Sequence, residues 1–206
     1  MTTKQLIAAV SILLIILVSY LYIDRNVAWW CNQHISAIDK ETFKKITHYG
    51  ESTLYLVGFA LGFLIFRYIW KKPHLENISL FIFGSVASAG IVSDIIKVIA
   101  GRHRPSELFE QGQYGFDFFH IERAMTSFPS GHTATAFALA TAIAYLWPKS
   151  GIPMFFFAIL IGISRLAIGA HYPSDVVGGA VVGVLSTWMV IRYWNHSERF
   201  KNKVLR

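Results

Sequence analysis

The stretch LIAAVSILLIILVSYLYI, residues 6–23, holds no charged side chain. As a helix rising about 1.5 Å per residue it reaches across most of a hydrocarbon core about 30 Å thick. Five further apolar runs follow: Thr53–Trp70, Ile78–Ile96, Thr133–Trp147, Gly151–Ser164 and Val176–Ile191. Arg67 lies near the end of the second run, where its stem can snorkel, and Asp94 falls late in the third. Thr133–Trp147 and Gly151–Ser164 are short and need flanking residues to complete a crossing. Six such runs in 206 residues leave no polar helix faces with which to cover a soluble core. The expected fold is all-α: a polytopic membrane protein with six transmembrane helices in one bundle, forming a single domain over residues 1–206.

Composition agrees. Charged residues make up 15% of the chain, against about 25% in soluble domains. With 15% aromatics and a mean hydropathy of +0.45, that excludes disorder. The net charge of +7 comes without a Lys/Arg-rich run interleaved with polar sequence, so it does not point to nucleic acid. Cys31 is the one cysteine, and no Cys/His spacing resembles a zinc site. The first run begins after Lys4, exceeds the usual ~7–15 apolar residues of a signal peptide and lacks a small-x-small site before Asp24, so it reads as an anchor.

Six crossings put both termini on one side. That side carries ten basic residues; of the other nine, Lys97, Arg102, Arg104 and Arg165 belong to a polar cluster, which leaves five as loop charges. The positive-inside rule then expects an integral protein of a bacterial inner or plasma membrane, with cytoplasmic termini. The loops Asp24–Ser52, Lys97–Gly131 and Arg165–Asp175 are expected to face the periplasm or exterior.

Those loops contain three polar stretches. In KVIAGRHRP, residues 97–105, a helix end broken by Gly101 and Pro105 delivers Lys97 and Arg104 near the membrane surface, where they can hold an anion or act as topogenic charges. In FPSGH, residues 128–132, Ser130 is a good N-cap, and the free N–H groups of a helix N-terminus suit phosphate oxygens. His132 in the first turn can exchange a proton near neutral pH, or simply be an interfacial histidine. In SRLAIGAHYPSD, residues 164–175, Arg165 closes an apolar run while His171 and Asp175 stand four apart. On a helical start that spacing puts the carboxylate beside the imidazole, leaving the other ring nitrogen free as a nucleophile; a helix-initiating Asp with an incidental His is the plainer alternative. Ionisable residues are costly at membrane edges, which argues against three such stretches arising on one side without a function.

Together and in this order, Lys-x6-Arg-Pro, Pro-Ser-Gly-His and Ser-Arg-x5-His-x3-Asp resemble the three-part signature of the type 2 phosphatidic acid phosphatase and vanadium haloperoxidase superfamily. The match spans Lys97–Asp175, and the six-span layout is similar to that family's integral-membrane lipid phosphatases. The resemblance implies that His171 attacks phosphorus and forms a phosphohistidine, that Asp175 orients it, and that His132 protonates the leaving oxygen. Lys97, Arg104, Arg165, Ser130 and the Gly131 N–H would cradle the phosphate. Three cations match a phosphate charge of about −1.5 to −2, so the expected enzyme uses no metal and no cofactor. Its expected partners are membrane lipids, with a lipid phosphate as substrate: an isoprenyl diphosphate, phosphatidylglycerophosphate, phosphatidic acid or phosphorylated lipid A. Residues 106–128, rich in phenylalanine, are expected to lie as an interfacial segment between spans three and four. A haloperoxidase would share the anion pocket but belongs to larger, soluble relatives. A phosphate-binding transporter would show internal repeats, and none is evident. A non-catalytic scaffold leaves His171 and Asp175 without a reason to accompany the cations.

Overall fold

The computed structural model describes Thr3–His196, and every regular element among the described residues is helical. Helix α1 (Thr3–Val18) passes through a π-helical turn at Ser19–Ile23 into α2 (Asp24–His34). Then come α3 (Ala37–His48), α4 (Ser52–Leu64) with a π-helical turn at Ile65–Ile69, and the long α5 (Pro73–Ala100). The short α6 (Pro105–Gln111) precedes α7 (Gly131–Leu146), α8 (Gly151–Ala167) and α9 (Pro173–His196).

Five helical segments are long and apolar enough to cross a membrane: Thr3–His34, Ala37–Ile69, Pro73–Ala100, Pro148–Ala167 and Pro173–His196. The remaining expected span, Thr133–Trp147, falls in α7. At 16 residues α7 measures about 24 Å, less than a full hydrocarbon core. It is also central: α7 packs against α5, α8 and α9, and buries Thr133, Ala134, Thr135, Ala136, Ala138, Leu139, Ala140 and Ala142. Lipid-facing length is not what holds such a helix in place. By contrast α1 buries no residue, and most of its leucines and isoleucines face outward, as a helix solvated by lipid requires.

The sequence expectation of a loop over Asp24–Ser52 is corrected, because most of it is helix. Asp24 is fully buried and bonded, so the first helix continues past the charge instead of ending at it. Ser36 then caps α3, its hydroxyl oxygen accepting from Asp39 N at 3.2 Å. Residues 106–128 fold back over the end of α5. Asp117 N donates to Gly101 O at 2.8 Å, and a Cβ at Gly101 (φ 56°) would collide with the Asp117 carbonyl. Only glycine permits that approach.

The site depends on how closely α7 and α9 approach. A Cβ at Gly183 would lie 2.4 Å from Ala134 O, and one at Gly179 2.5 Å from Ser130 O. Small residues on both faces let the backbones meet, the packing mode expected where lipid offers no hydrophobic drive between helices. At the opposite end, Phe81, Ile82 and Val86 of α5 pack with Leu139 and Ala142 of α7 and Trp194 of α9. A Cβ at Gly183 would push against the α7 backbone at Ala134 and Ala138 and against the Phe137 Cβ, none of which can swing aside. Gly183→Ala is therefore expected to destabilise the protein by about 1–3 kcal/mol, read as a lower melting temperature in detergent. Gly84→Ala, where a Cβ meets nothing within 4 Å, should leave it unchanged or raise it.

Candidate active site

Four helix ends converge at one end of the bundle. Lys97 lies in the last turn of α5 and Arg165 in the last turn of α8, while Gly131 and His132 open α7 and Asp175 sits in the first turn of α9. After Arg165 the chain reverses tightly. Ala170 N donates to Arg165 O at 3.0 Å, Gly169 takes a left-handed conformation (φ 69°), and Pro173 starts α9 with its ring already suited to a first helical turn. His171 is thereby buried beneath the cluster.

His171 Nδ1 lies 3.5 Å from Asp175 Oδ2, longer than an ordinary hydrogen bond but within reach of a small closure. The same Oδ2 accepts from Ser127 Oγ at 2.6 Å and from Tyr172 N at 2.9 Å, while Oδ1 accepts from Arg102 Nη1. Asp175 is thus a fully buried carboxylate whose charge is matched by hydrogen bonds and a guanidinium. Burial pushes the His171 imidazole down to about 4, against the opposing pull of the nearby Asp175 carboxylate, with Arg165 and Arg104 adding to the fall. At neutral pH the ring is uncharged and its lone pair is available for attack.

Arg165 and Arg104 lie within electrostatic reach of His171, and Lys97 lies by Gly131 and His132. Arg165 is buried, held by Nη1 donating to Thr47 Oγ1 at 3.0 Å, with its Nε bonded to no protein group among the described residues. Arg104 Nε donates to Arg123 O at 2.7 Å; burial and the Arg123 charge lower the Arg104 pKa while Asp175 opposes them. Lys97 Nζ pairs with Asp94 Oδ1 at 2.9 Å and lies 3.0 Å from where a Cβ on Gly131 would stand. Glycine at 131 therefore leaves room for the ammonium directly over the N-terminus of α7. His132 lies within the electrostatic reach of Arg165, His171, Lys97 and Arg104. An open cavity of about 300 Å³ reaches this end between α4, α5 and α7, lined among others by Lys97, Gly131, His132, Ser93, Thr135 and Glu51.

The structure thus gathers all eight residues singled out in the sequence. Lys97, Gly131 and His132 line the cavity; Arg104, Arg165, His171 and Asp175 stand behind or beside them. One detail is corrected. Ser130 occupies the N-cap position, but its side chain makes no capping bond: it is buried and its Oγ accepts from Thr133 Oγ1 at 2.9 Å, while Ser130 N donates to Asp175 O at 3.0 Å. A neighbouring hydroxyl has taken up the oxygen that would otherwise cap the helix. Sequence reasoning missed Ser127, Thr47 and, above all, Arg102 and Asp24. Arg102 was visible only as a basic member of the polar cluster around Lys97 and Arg104, with no role given to it. Asp24 had one signal, a carboxylate at the very edge of an apolar run, where an unpaired charge is costly.

A sequence model of the PAP2 superfamily matches residues 79–199 of this chain, more than half its length. The chain is 37% identical over 155 residues to a lipid A 1-phosphatase of Rhizobium etli, covering 70% of this chain and 66% of that protein. It is also 37% identical over 83 residues to an undecaprenyl-diphosphatase of Bacillus subtilis, covering 40% of this chain and 43% of the relative. The matches thus span less than two thirds of either relative. Among solved structures, a transmembrane PAP2 type phosphatidylglycerolphosphate phosphatase from Bacillus subtilis superposes with a TM-score of 0.65 over 93% of this chain and 98% of its own, at 23% identity. At that identity the likeness concerns the fold.

The buried His171 has a thermodynamic consequence. Its folded value of about 4 lies below the unfolded value of 6.5, so between those pH values the unfolded chain binds more protons. Stability is full above about 6.5 and falls as pH drops toward 4. In His171→Gln, which does not titrate, the decline in detergent melting temperature between pH 6.5 and 4 should be shallower than in the wild type. An equal decline in both would show that His171 is not buried in its neutral form.

Proposed function

The chain belongs to the PAP2 superfamily, and from that premise we propose that it is a membrane lipid phosphatase, hydrolysing a phosphate monoester or diphosphate of a lipid through a phosphohistidine on His171. The observation that carries the reading is the buried imidazole of His171, its Nδ1 3.5 Å from the Asp175 carboxylate and the ring within the electrostatic reach of Arg165 and Arg104, with Lys97 beside the neighbouring His132. Lys97, Arg104 and Arg165 take the oxygens of the phosphate together with the free N–H groups at the start of α7. The ring nitrogen Nε2 of His171 attacks phosphorus in line, the bond to the lipid oxygen breaks, and His132 gives that oxygen a proton. Asp175 balances the charge that appears on the ring. Water, its proton taken by the now basic His132, then cleaves the P–N bond and releases phosphate. Two moderate barriers replace one very high one, with the same anion site serving both.

Three fixed cations supply the positive charge that a metal ion supplies in other phosphatases, and the reaction in this reading needs none. The substrate is a lipid whose phosphate stays at the membrane surface, in the class that includes the lipid A 1-phosphate and undecaprenyl diphosphate acted on by the named relatives. In this reading α7 makes the sixth crossing within the same single domain, completed by its flanking turns, and both termini are cytoplasmic with the site facing the periplasm or exterior. Residues 106–128 lie in the headgroup plane, a reading supported by Phe118, Phe119 and Ile121, which are exposed side by side.

Purified in detergent with a chelator present, the wild type should release phosphate from at least one member of a panel of lipid phosphates. His132→Ala should lower the rate about 10²–10⁴-fold and His171→Ala should abolish it. An acid-labile, base-stable label from a labelled substrate should appear on the wild type and be absent from His171→Ala. No release from any lipid, or release only with added divalent metal, would overturn the proposal. Orientation is tested separately, with an introduced thiol because Cys31 is buried. In a Cys31→Ser background, the exposed position in Gln113→Cys should react with a membrane-impermeant reagent on intact cells. Reaction only after the cytoplasmic face is opened would reverse the topology.

A further inference from the structure

The group that holds Asp175 is itself held from the first membrane helix. Arg102 is fully buried, and its two terminal nitrogens serve different carboxylates: Nη1 donates to Asp175 Oδ1, and Nη2 donates to Asp24 Oδ2 at 2.6 Å. Asp24 is fixed in turn. Its Oδ1 accepts from Ser174 N at 2.9 Å and from Ser19 Oγ at 2.8 Å, and its Oδ2 accepts from Ser174 Oγ. Ser174 Oγ also accepts from Arg102 Nη1 at 2.6 Å, which closes the network next to Asp175 in the chain. The guanidinium lies within 4.6–5.7 Å of the ring centroids of Tyr172, Tyr20, Phe116 and Tyr114, so water does not screen it.

The charges decide what this arrangement does. Were Arg102 paired with Asp175 alone, the pair would be neutral, and the carboxylate would have little charge left for the imidazole. Two carboxylates share one guanidinium, so the buried network carries one surplus negative charge, and the member nearest His171 is Asp175. That surplus sits where positive charge appears on the imidazole during attack, and in a dry interior it is worth far more than at a surface. Burial would lower the Arg102 pKa, yet Asp175 and Asp24 together raise it above its ordinary value, so the guanidinium stays charged throughout.

We propose that Asp24, from the first membrane helix, is a positioning residue of the active site: by sharing Arg102 with Asp175 it keeps the Asp175 carboxylate charged toward His171 and fixed in orientation. The inference rests on the reading of His171 as nucleophile. Asp24 lies at α2 and Arg102 between α5 and α6, while Asp175 opens α9, so three segments far apart in the chain must be assembled before the nucleophile is complete.

Asp24→Asn removes the charge while nearly keeping the shape. Because the phosphate cradle of Lys97, Arg104 and Arg165 is untouched, kcat should fall about 10–100-fold, the range typical of partners that act through an orienting group, with KM within about twofold of the wild type. Asp24→Glu, which keeps the charge, should recover part of the lost kcat. Rates are expressed per folded protein, measured by size-exclusion chromatography and thermal unfolding in detergent. If Asp24→Asn does not fold, Ser174→Ala is the substitute, because its hydroxyl touches both Arg102 and Asp24 and carries no charge; a fall in kcat of several-fold at unchanged KM is then expected. Wild-type kcat in the folded variant, or equal loss in Asp24→Asn and Asp24→Glu, would overturn the inference and leave the phosphatase reading intact. No phosphate release by the wild type would overturn both.

Discussion

One buried guanidinium organises this end of the molecule. Arg102 binds Asp175 and Asp24 with no exposure to solvent, and an isolated ion so placed would cost several kcal/mol. The cost is offset only if every partner is in place, and the partners come from α2, from the turn after α5 and from the start of α9. The network therefore specifies an arrangement more than it adds stability: breaking any contact strands a buried charge. That requirement explains why the first helix runs past its apolar stretch, why Gly101 must turn the chain so sharply, and why residues 113–128 fold back over the end of α5.

The closeness of α7 and α9 is the second constraint, and it works together with the first. Gly179 lets the backbone of α9 approach Ser130, whose N–H donates to the Asp175 carbonyl, so the helix that carries His132 and the helix that carries Asp175 are tied at their first turns. Gly178 leaves space for the Phe128 ring, which pins the segment before α7 to the same face. Packing by small residues thus sets the distance between His132 and the His171–Asp175 pair without any polar group in the apolar middle of the bundle having to reach across.

Much of this was legible in the sequence, for reasons that also mark where legibility stops. Hydropathy located the membrane helices, because lipid demands long uncharged runs; it could not tell that α7 packs among α5, α8 and α9, because a chain of alanines and threonines looks the same whether it faces lipid or neighbouring helices. The residues of the three polar stretches were visible because each carries its chemistry in local spacing, such as His171 and Asp175 at i and i+4. Asp24 and Arg102 have no such spacing. The first bond lies between residues 78 apart and the second between residues 73 apart, and nothing in a single sequence relates positions at that distance. Ser130 shows a subtler limit, since it occupies the expected capping position but its oxygen accepts from Thr133 instead.

The arrangement of charge around His171 connects fold to chemistry. Lys97 lines the cavity, Arg104 and Arg165 act on the buried ring, and the Asp175 carboxylate stands beside its Nδ1. While the ring is neutral it draws the carboxylate only weakly, and the separation between Nδ1 and Asp175 stays long at 3.5 Å. In the proposed reaction a phosphate dianion cancels much of the cationic field, and attack places positive charge on the ring. Only then does the surplus negative charge of the Asp24–Arg102–Asp175 network meet an opposite charge, and the long contact has reason to shorten. An interaction stronger in the transition state than in the resting enzyme is what accelerates a reaction, whereas one equally strong in both would merely tighten binding. Burying His171 uncharged lowers stability at acid pH; in the proposed reaction it also makes the carboxylate network act chiefly when phosphorus is being attacked.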